Sequence, residues 1–203
     1  MTLTNMIRSS KKIILGSNSP RRRELLAGLD LPFIVDTGNN FQESMDSEVD
    51  PHAIPALMSV GKSHGFHRNL ENDEILVTSD TVVLVKDDRN GQFKVLGKPH
   101  GRDEAVEMLK SLSGKSHEVL TAVTIRSNSC EKTFTDSALV TFEHLSKEEI
   151  DYYIDNYKPF DKAGAYGIQE WIGYAAISRL EGSFYTVMGF PVHRVYKEIQ
   201  SFL

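Results

Sequence analysis

An α/β fold with a mixed β-sheet is what this chain of 203 residues predicts, and three features of its pattern carry the prediction. Short apolar or β-branched runs alternate with helical periodicities, the order that builds strand-helix-strand crossovers. Consecutive strand-like runs also occur in pairs with only a turn between them, which makes antiparallel neighbours. Neither an internal repeat nor a disordered linker interrupts the chain, and its length suits a single domain, residues 1–203, or two closely joined lobes.

The elements follow in order. KKIILGS is a short buried strand; Ser19 then caps a helix that has Pro20 in its first position and Leu25, Leu26 and Leu29 along its apolar side. LPFIVDTG gives a second strand, and after an acidic loop ending at Asp50 the stretch of about 51–68 is helical despite its prolines and glycines. ILVTSDTVVLV, rich in β-branched residues, is the clearest strand, and the turn Asp87-Asp88-Arg89-Asn90-Gly91 returns it into QFKVL. From Arg102, Ala105, Val106, Met108, Leu109 and Leu112 keep helical spacing until Gly114 stops them. HEVLTAVTIRS and TFTDSALVTFE form another strand pair. Ser146 and Glu149 make a capping box, and Ile150, Tyr153, Ile154 and Tyr157 stripe the helix that ends before Pro159. PFDKAGAYGIQEW is too rich in glycine for a regular element. WIGYAAISRLEGSFYTVMGF reads as a β-hairpin turning at Glu181-Gly182-Ser183, and Pro191 opens a last helix with Val192, Val195, Tyr196 and Ile199 inward. Aromatics in this last region form either a homodimer face or part of the core.

Composition excludes several classes. A net charge of −5 argues against a general binder of nucleic acid or of anionic membranes. The single cysteine, Cys130, rules out an internal disulfide framework, and MTLTNMIRSSKK lacks the apolar core of a signal peptide. Asp80 interrupts the most hydrophobic segment, so no apolar run reaches the ~18 to 20 residues of a membrane span. A soluble, cytoplasmic protein is expected.

GSNSPRRRELL places Arg21, Arg22 and Arg23 in the opening turn of a helix, where each cation is unfavourable by roughly 0.3 to 1 kcal/mol. Two readings are open: a phosphate cradle made of backbone N–H groups, Ser17, Ser19 and forked guanidinium groups, or a solvated run partly offset by Glu24. Asp80 stands in a run of aliphatic and hydroxylated residues, so it is paired, bound to a metal, displayed at a site, or turned to solvent. Glu43 belongs to an acidic loop with Asp46, Glu48 and Asp50; such loops are commonly just solvated, yet Glu43 and Asp80 together suit a hard cation such as Mg²⁺. Lys62, Lys98 and Lys162 are surface charges unless they converge on the arginines.

Other motifs fail. Gly61-Lys62-Ser63 and Gly114-Lys115-Ser116 resemble P-loop endings but have Ala56 and Leu109 where the earlier glycine belongs. His52, His64 and His67 lack the thiolates or patterned carboxylate of a zinc site, Cys130 has no histidine near it in sequence, and no G-x-G-x-x-G occurs.

Taken together, LGSNSPRRRELL, FQES, VTSDTVV, VLGKP, LSGKSHEVLTAV, PFDKAGAYGIQ and GSFYTVMGFP resemble the Maf family of nucleotide pyrophosphatases, from Lys12 to the final helix. The resemblance implies a Maf/ITPase-like fold: an elongated mixed sheet flanked by helices, with two lobes around a central cleft. It implies hydrolysis of a nucleoside triphosphate to the monophosphate and pyrophosphate, with Mg²⁺, Mn²⁺ or Co²⁺. It carries the proton acceptor onto Asp80, catalytic roles onto Glu43 and Lys98, metal binding onto Glu43 and Asp80, and substrate binding onto Ser17, Arg21, Arg22, Lys62, Thr81, Lys162 and Gln169. The pattern resembles the branch acting on dTTP and UTP, whose specificity positions fall on Arg21, Thr81 and Gln169. This chain departs from the family at Ser79, where alanine is frequent, and in MSVGKSHG, where the family commonly has R-x-K-A or A-x-x-K-A around the lysine. A house-cleaning pyrophosphatase for modified purine nucleotides and a slow nucleotide-binding regulator of septum formation are the alternative readings, and a plain phosphate or nucleic-acid module comes after them.

Overall fold

The structure, a computed structural model, describes residues 11–43, 48–87 and 90–202. Asp46 of the acidic loop, Asp88 and Arg89 of the expected hairpin turn and the first ten residues lie outside the described residues. Among the described residues seven strands form one mixed sheet, and the chain divides into two compact units: Met1–Asp80, Thr121–Asp136 and Gly189–Leu203 make the first, Thr81–Leu120 and Ser137–Met188 the second.

In the first unit, β1 (Lys12–Leu15) pairs in parallel with β2 (Phe33–Val35) on one side and with the start of β3 (Glu74–Lys86) on the other, Ile13 facing Phe33 and Ile75. Flanked on both sides, Ile13, Ile14 and Leu15 are all buried, as an uninterrupted apolar run requires. Helix α1 (Pro20–Ala27) links β1 to β2, and α2 (Ile54–His64) precedes β3. Pro55 sits in the first turn of α2, where its missing N–H costs nothing.

In the second unit, the later half of β3 pairs antiparallel with β4 (Phe93–Leu96), Val83 opposite Leu96. Helix α3 (Arg102–Leu112) buries Ala105, Met108, Leu109 and Leu112. Strands β5 (Ser116–Arg126) and β6 (Glu131–Phe142) are sheet neighbours and run through both units. Helix α4 (Lys147–Tyr157) has the capping box at Ser146 and Glu149. It is held to α3 by Arg102, whose Nη2 lies 2.7 Å from Asp151 and whose Nε lies 3.0 Å from Asp155.

The C-terminal hairpin is the main correction. WIGYAA is helix α5 (Trp171–Ala176), only Ile177–Glu181 forms a strand, β7, and Phe184–Met188 is the short helix α6. Strand β7 finds its antiparallel partner in β6, Leu139 opposite Glu181, so the segment's β-propensity is satisfied by an earlier strand. After Gly182 the Ser183 carbonyl accepts from Thr186 N and Val187 N, which starts a helical turn with Thr186 and Met188 inward. Two aromatics expected inward face out instead: Tyr157 is 36% exposed, and Tyr196, on α7 (Val192–Ile199), is 37% exposed while Val195 and Ile199 are buried. Tyr174, Phe184 and Tyr185 are exposed as well. No helix among the described residues is long and apolar enough to cross a membrane.

Candidate active site

The first unit assembles its candidates around the junction of β1, α1 and β3. Gly16 N donates to Val77 O at 2.9 Å, so the chain leaving β1 stays beside β3 as it enters the serine-rich turn. Ser19 caps α1 by accepting from Arg22 N, and Ser17 Oγ accepts from Ser19 N at 3.2 Å. The Arg22 side chain then turns inward: Nε donates to Gly189 O at 2.9 Å, and Nη1 donates to Ser79 O at 2.8 Å and lies 3.4 Å from Ser17 Oγ. One guanidinium thereby grips the backbone of the residue before Asp80. Burial lowers the Arg22 pKa; the charges of Asp80 and Glu43 oppose that shift, and that of Arg21 adds to it. Arg21 is half-buried beside it, and Arg23 with Glu24 faces a hollow of about 590 Å³ whose other wall includes Phe33 and Val35.

Asp80 is 16% exposed and meets Lys62, whose Nζ is 2.6 Å from Asp80 Oδ1 and 2.8 Å from Glu43 Oε1. One ammonium joins two carboxylates that are far apart in sequence. A short polar clamp sets this meeting. Thr78 Oγ1 donates to the Ser59 carbonyl at 2.8 Å, while Ser59 Oγ lies 3.2 Å from the Thr78 carbonyl and 2.9 Å from Thr124 Oγ1. Ser59 and Lys62 share a helix face at i and i+3, and Thr78 and Asp80 share a strand face at i and i+2. Fixing the first member of each pair therefore fixes the second. One turn on, Arg126 donates to Ser63 Oγ and to the Ser63 carbonyl.

Glu43 and Asp80 present hard oxygen ligands on a common centre, the donor type that Mg²⁺ or Mn²⁺ prefers. Among the described residues no set of three or more His, Cys, Asp or Glu is arranged to hold a metal. A cation held by Glu43 and Asp80 would have two protein carboxylates and would need water and phosphate for its remaining ligands, a donor set that suits Mg²⁺.

The second unit holds the other candidates. Thr81, the next residue of β3, is half-buried, and Lys98 is exposed just past β4. Gly164 N donates to Gly97 O at 3.0 Å, which ties the Lys98 loop to the loop of Lys162. Lys162 is itself 9% exposed by side chain, with Nζ 2.8 Å from Asp161 and 3.0 Å from Glu170. Glu170 also accepts from the Tyr153 hydroxyl, which in turn accepts from Gly167 N at 3.0 Å. Burial, then Glu170, raise the Tyr153 pKa, so the phenol keeps its proton. Gln169 Oε1 is buried and finds no hydrogen-bond partner among the described residues.

Of the expected residues, the first unit brings together Ser17, Arg22, Glu43, Lys62 and Asp80, with Arg21 adjoining. Thr81, Lys98, Lys162 and Gln169 belong to the second. Reading the sequence missed Ser59 and Thr78 on one side and Tyr153 with Glu170 on the other. Serines at 59 and 63, one turn apart within an apolar helix, are a signal for polar contacts across a buried face; Tyr153 was hidden inside an apolar stripe and Glu170 carried no local signal.

A family model described as Maf-like protein matches residues 12–202. A protein of Porphyromonas gingivalis named dTTP/UTP pyrophosphatase is 48% identical over 193 residues, covering 94% of each chain. One of Bacteroides thetaiotaomicron with the same name is 46% identical over 189 residues, covering 93% of this chain and 95% of its own. Among solved structures, a HAM1 protein from Coxiella burnetii aligns over 94% of this chain and 99% of its own, with 11% identity and a TM-score of 0.49; at that distance it adds nothing to the assignment. With the match running from β1 to the last residues of the fold, and with relatives nearly half identical over almost their whole length, this chain belongs to the Maf family.

Proposed function

We propose that this protein hydrolyses dTTP and UTP to the nucleoside monophosphate and pyrophosphate, water attacking the α-phosphate. The observation that supports it best is Lys62 bridging Asp80 and Glu43, because it gathers an acid pair and a cation at one point beside the arginine turn. The names of the relatives point to the same substrates.

In this reading Asp80 takes the proton of the attacking water. Its carboxylate is oriented by Lys62, while Arg22 fixes the strand backbone just before it. Arg21, Arg22, Lys62 and Lys98 balance charge on the triphosphate and on the departing pyrophosphate, Ser17 adds a hydroxyl donor at the helix entrance, and Lys162 holds its loop in place. Glu43 and Asp80 would hold the divalent metal, which when bound would withdraw charge from the phosphate and make water a better nucleophile. Gln169 reads the base. Its amide accepts from the N3–H of thymine or uracil and donates to O4, whereas cytosine presents the reversed pattern. Its Oε1, buried and without a hydrogen-bond partner among the described residues, supports that role, and Thr81 belongs to the same recognition.

The test is pyrophosphate release from dTTP, UTP, CTP, dATP and GTP with Mg²⁺ or Mn²⁺, run in ¹⁸O-labelled water. The reading expects turnover of dTTP and UTP above the others with label in the monophosphate. Preference for purine triphosphates overturns the substrate assignment, and label in pyrophosphate overturns attack at the α-phosphate.

A further inference from the structure

The stretch SVGKSHG fails as a phosphate-binding loop, and its lysine alone does not explain its two glycines. Within a helix a glycine is less favourable than alanine by roughly 0.5 to 1 kcal/mol, so Gly61 in the middle of α2 needs a reason beyond the helix. Packing supplies one. A Cβ on Gly61 would lie 2.3 Å from both Cε2 and Cζ of Phe41. At Gly65, one turn further, it would lie 2.6 Å from Asn39 Oδ1 and from Phe41 Cβ, and 2.7 Å from Phe41 N. The segment from Asn39 to Phe41 therefore rests on bare helix backbone.

Hydrogen bonds hold it in that seat. Asn39 Nδ2 donates to the carbonyl of Lys62 itself at 2.6 Å, Asn40 N donates to Gly65 O at 2.7 Å, and Phe41 N donates to Asn39 Oδ1 at 2.8 Å. Two residues past Phe41, Glu43 reaches Lys62 Nζ. We infer that Gly61 and Gly65 are positioning residues: the flat face they leave on α2 seats Phe41 and delivers Glu43 to the Lys62–Asp80 pair. This deepens the proposed function and rests on Glu43 belonging to the reacting centre.

The experiment is a mutant cycle on dTTP hydrolysis, with hydrogen exchange of the Asn40 amide as a readout that needs no turnover. Gly61→Ala drives the Phe41 ring out of its seat; kcat falls about a hundredfold with KM changed less than about threefold, and the Asn40 amide exchanges about tenfold faster. Gly61→Ala/Phe41→Leu, which removes Cε2 and Cζ, recovers kcat to within about threefold of wild type and restores protection. In a Glu43→Gln background the added alanine leaves the residual kcat unchanged. Wild-type kcat and protection in Gly61→Ala overturn the inference, as does an equal loss of kcat from the alanine with Glu43 already removed. Should Gly61→Ala not fold, failure of Gly61→Ala/Phe41→Leu to recover folding and activity likewise overturns it. If wild type does not hydrolyse dTTP or UTP, the proposed function fails, while exchange at Asn40 still decides the seat.

Discussion

Asp80 keeps a carboxylate inside a strand of buried neighbours because Lys62 stands 2.6 Å away, and Arg22 is tolerated in a helix's first turn because its guanidinium is spent on two carbonyls and a hydroxyl. Each was visible in the sequence as an oddity, a charge where the local pattern disfavours one. The partner was not visible, since pairing depends on the register of α2 against β3. Other residues carried no oddity at all. His117 is 2% exposed; its Nε2 lies 2.8 Å from Tyr166 Oη, its ring packs edge-on against Phe142 and Tyr166, and its Nδ1 has no partner among the described residues. A second proton would bury a cation with an unanswered N–H, so burial lowers the His117 pKa to about 3. Unfolded, the ring titrates near pH ~6.5. The unfolded chain therefore takes up a proton that the folded chain refuses: the contribution is complete above about pH 6.5 and is lost by about 1.4 kcal/mol per pH unit as pH falls towards the folded pKa. Denaturant midpoints for wild type and His117→Gln, compared between about pH 7 and 5, should show the steeper acid loss in wild type.

Among elements, the strands and long helices were legible because their periodicities are long and their caps are chemical. The capping box at Ser146 and the Ser19-Pro20 entrance to α1 are both where the residues put them. The C-terminal segment was misread because aromatic and β-branched residues suit a half-buried strand wherever it pairs, and the partner that decided the matter, β6, lies about 40 residues earlier. How α2 meets β3 was equally illegible, yet it decides the site. Thr78→Val removes the hydroxyl that holds the Ser59 carbonyl; about 1 kcal/mol of stability should be lost by denaturant titration, with kcat for dTTP reduced and Thr78→Ser restoring both. Tyr153→Phe should cost about 1 to 3 kcal/mol in the same titration, since it leaves Gly167 N–H without its acceptor and takes the hydroxyl donor from Glu170 Oε2, leaving Glu170 only its Lys162 pair. An unchanged midpoint in either variant would mean that these hydrogen bonds do not hold their elements.

For the molecule as a whole, the acidic net charge and the single cysteine were read directly from the chain, as was the order of elements as far as the C-terminal segment. The gathering of Glu43, Lys62 and Asp80 was not. It needs a loop, a helix and a strand to meet; the residue types alone let Glu43 and Asp80 share a cation, and the resemblance of several separated motifs to one family placed Lys62 with them. Two carboxylates on one ammonium do little for the mere binding of a polyanion; they make sense where a proton is taken and a metal is held. Asp80→Asn keeps the size of the side chain and an oxygen for Lys62 while removing the carboxylate proposed to take the proton. The direct measurement is the rate of pyrophosphate release from dTTP by Asp80→Asn beside wild type, with nucleotide binding followed by calorimetry. A fall in kcat of about a hundredfold or more with binding retained is the expected result. Turnover at the wild-type rate would contradict the account.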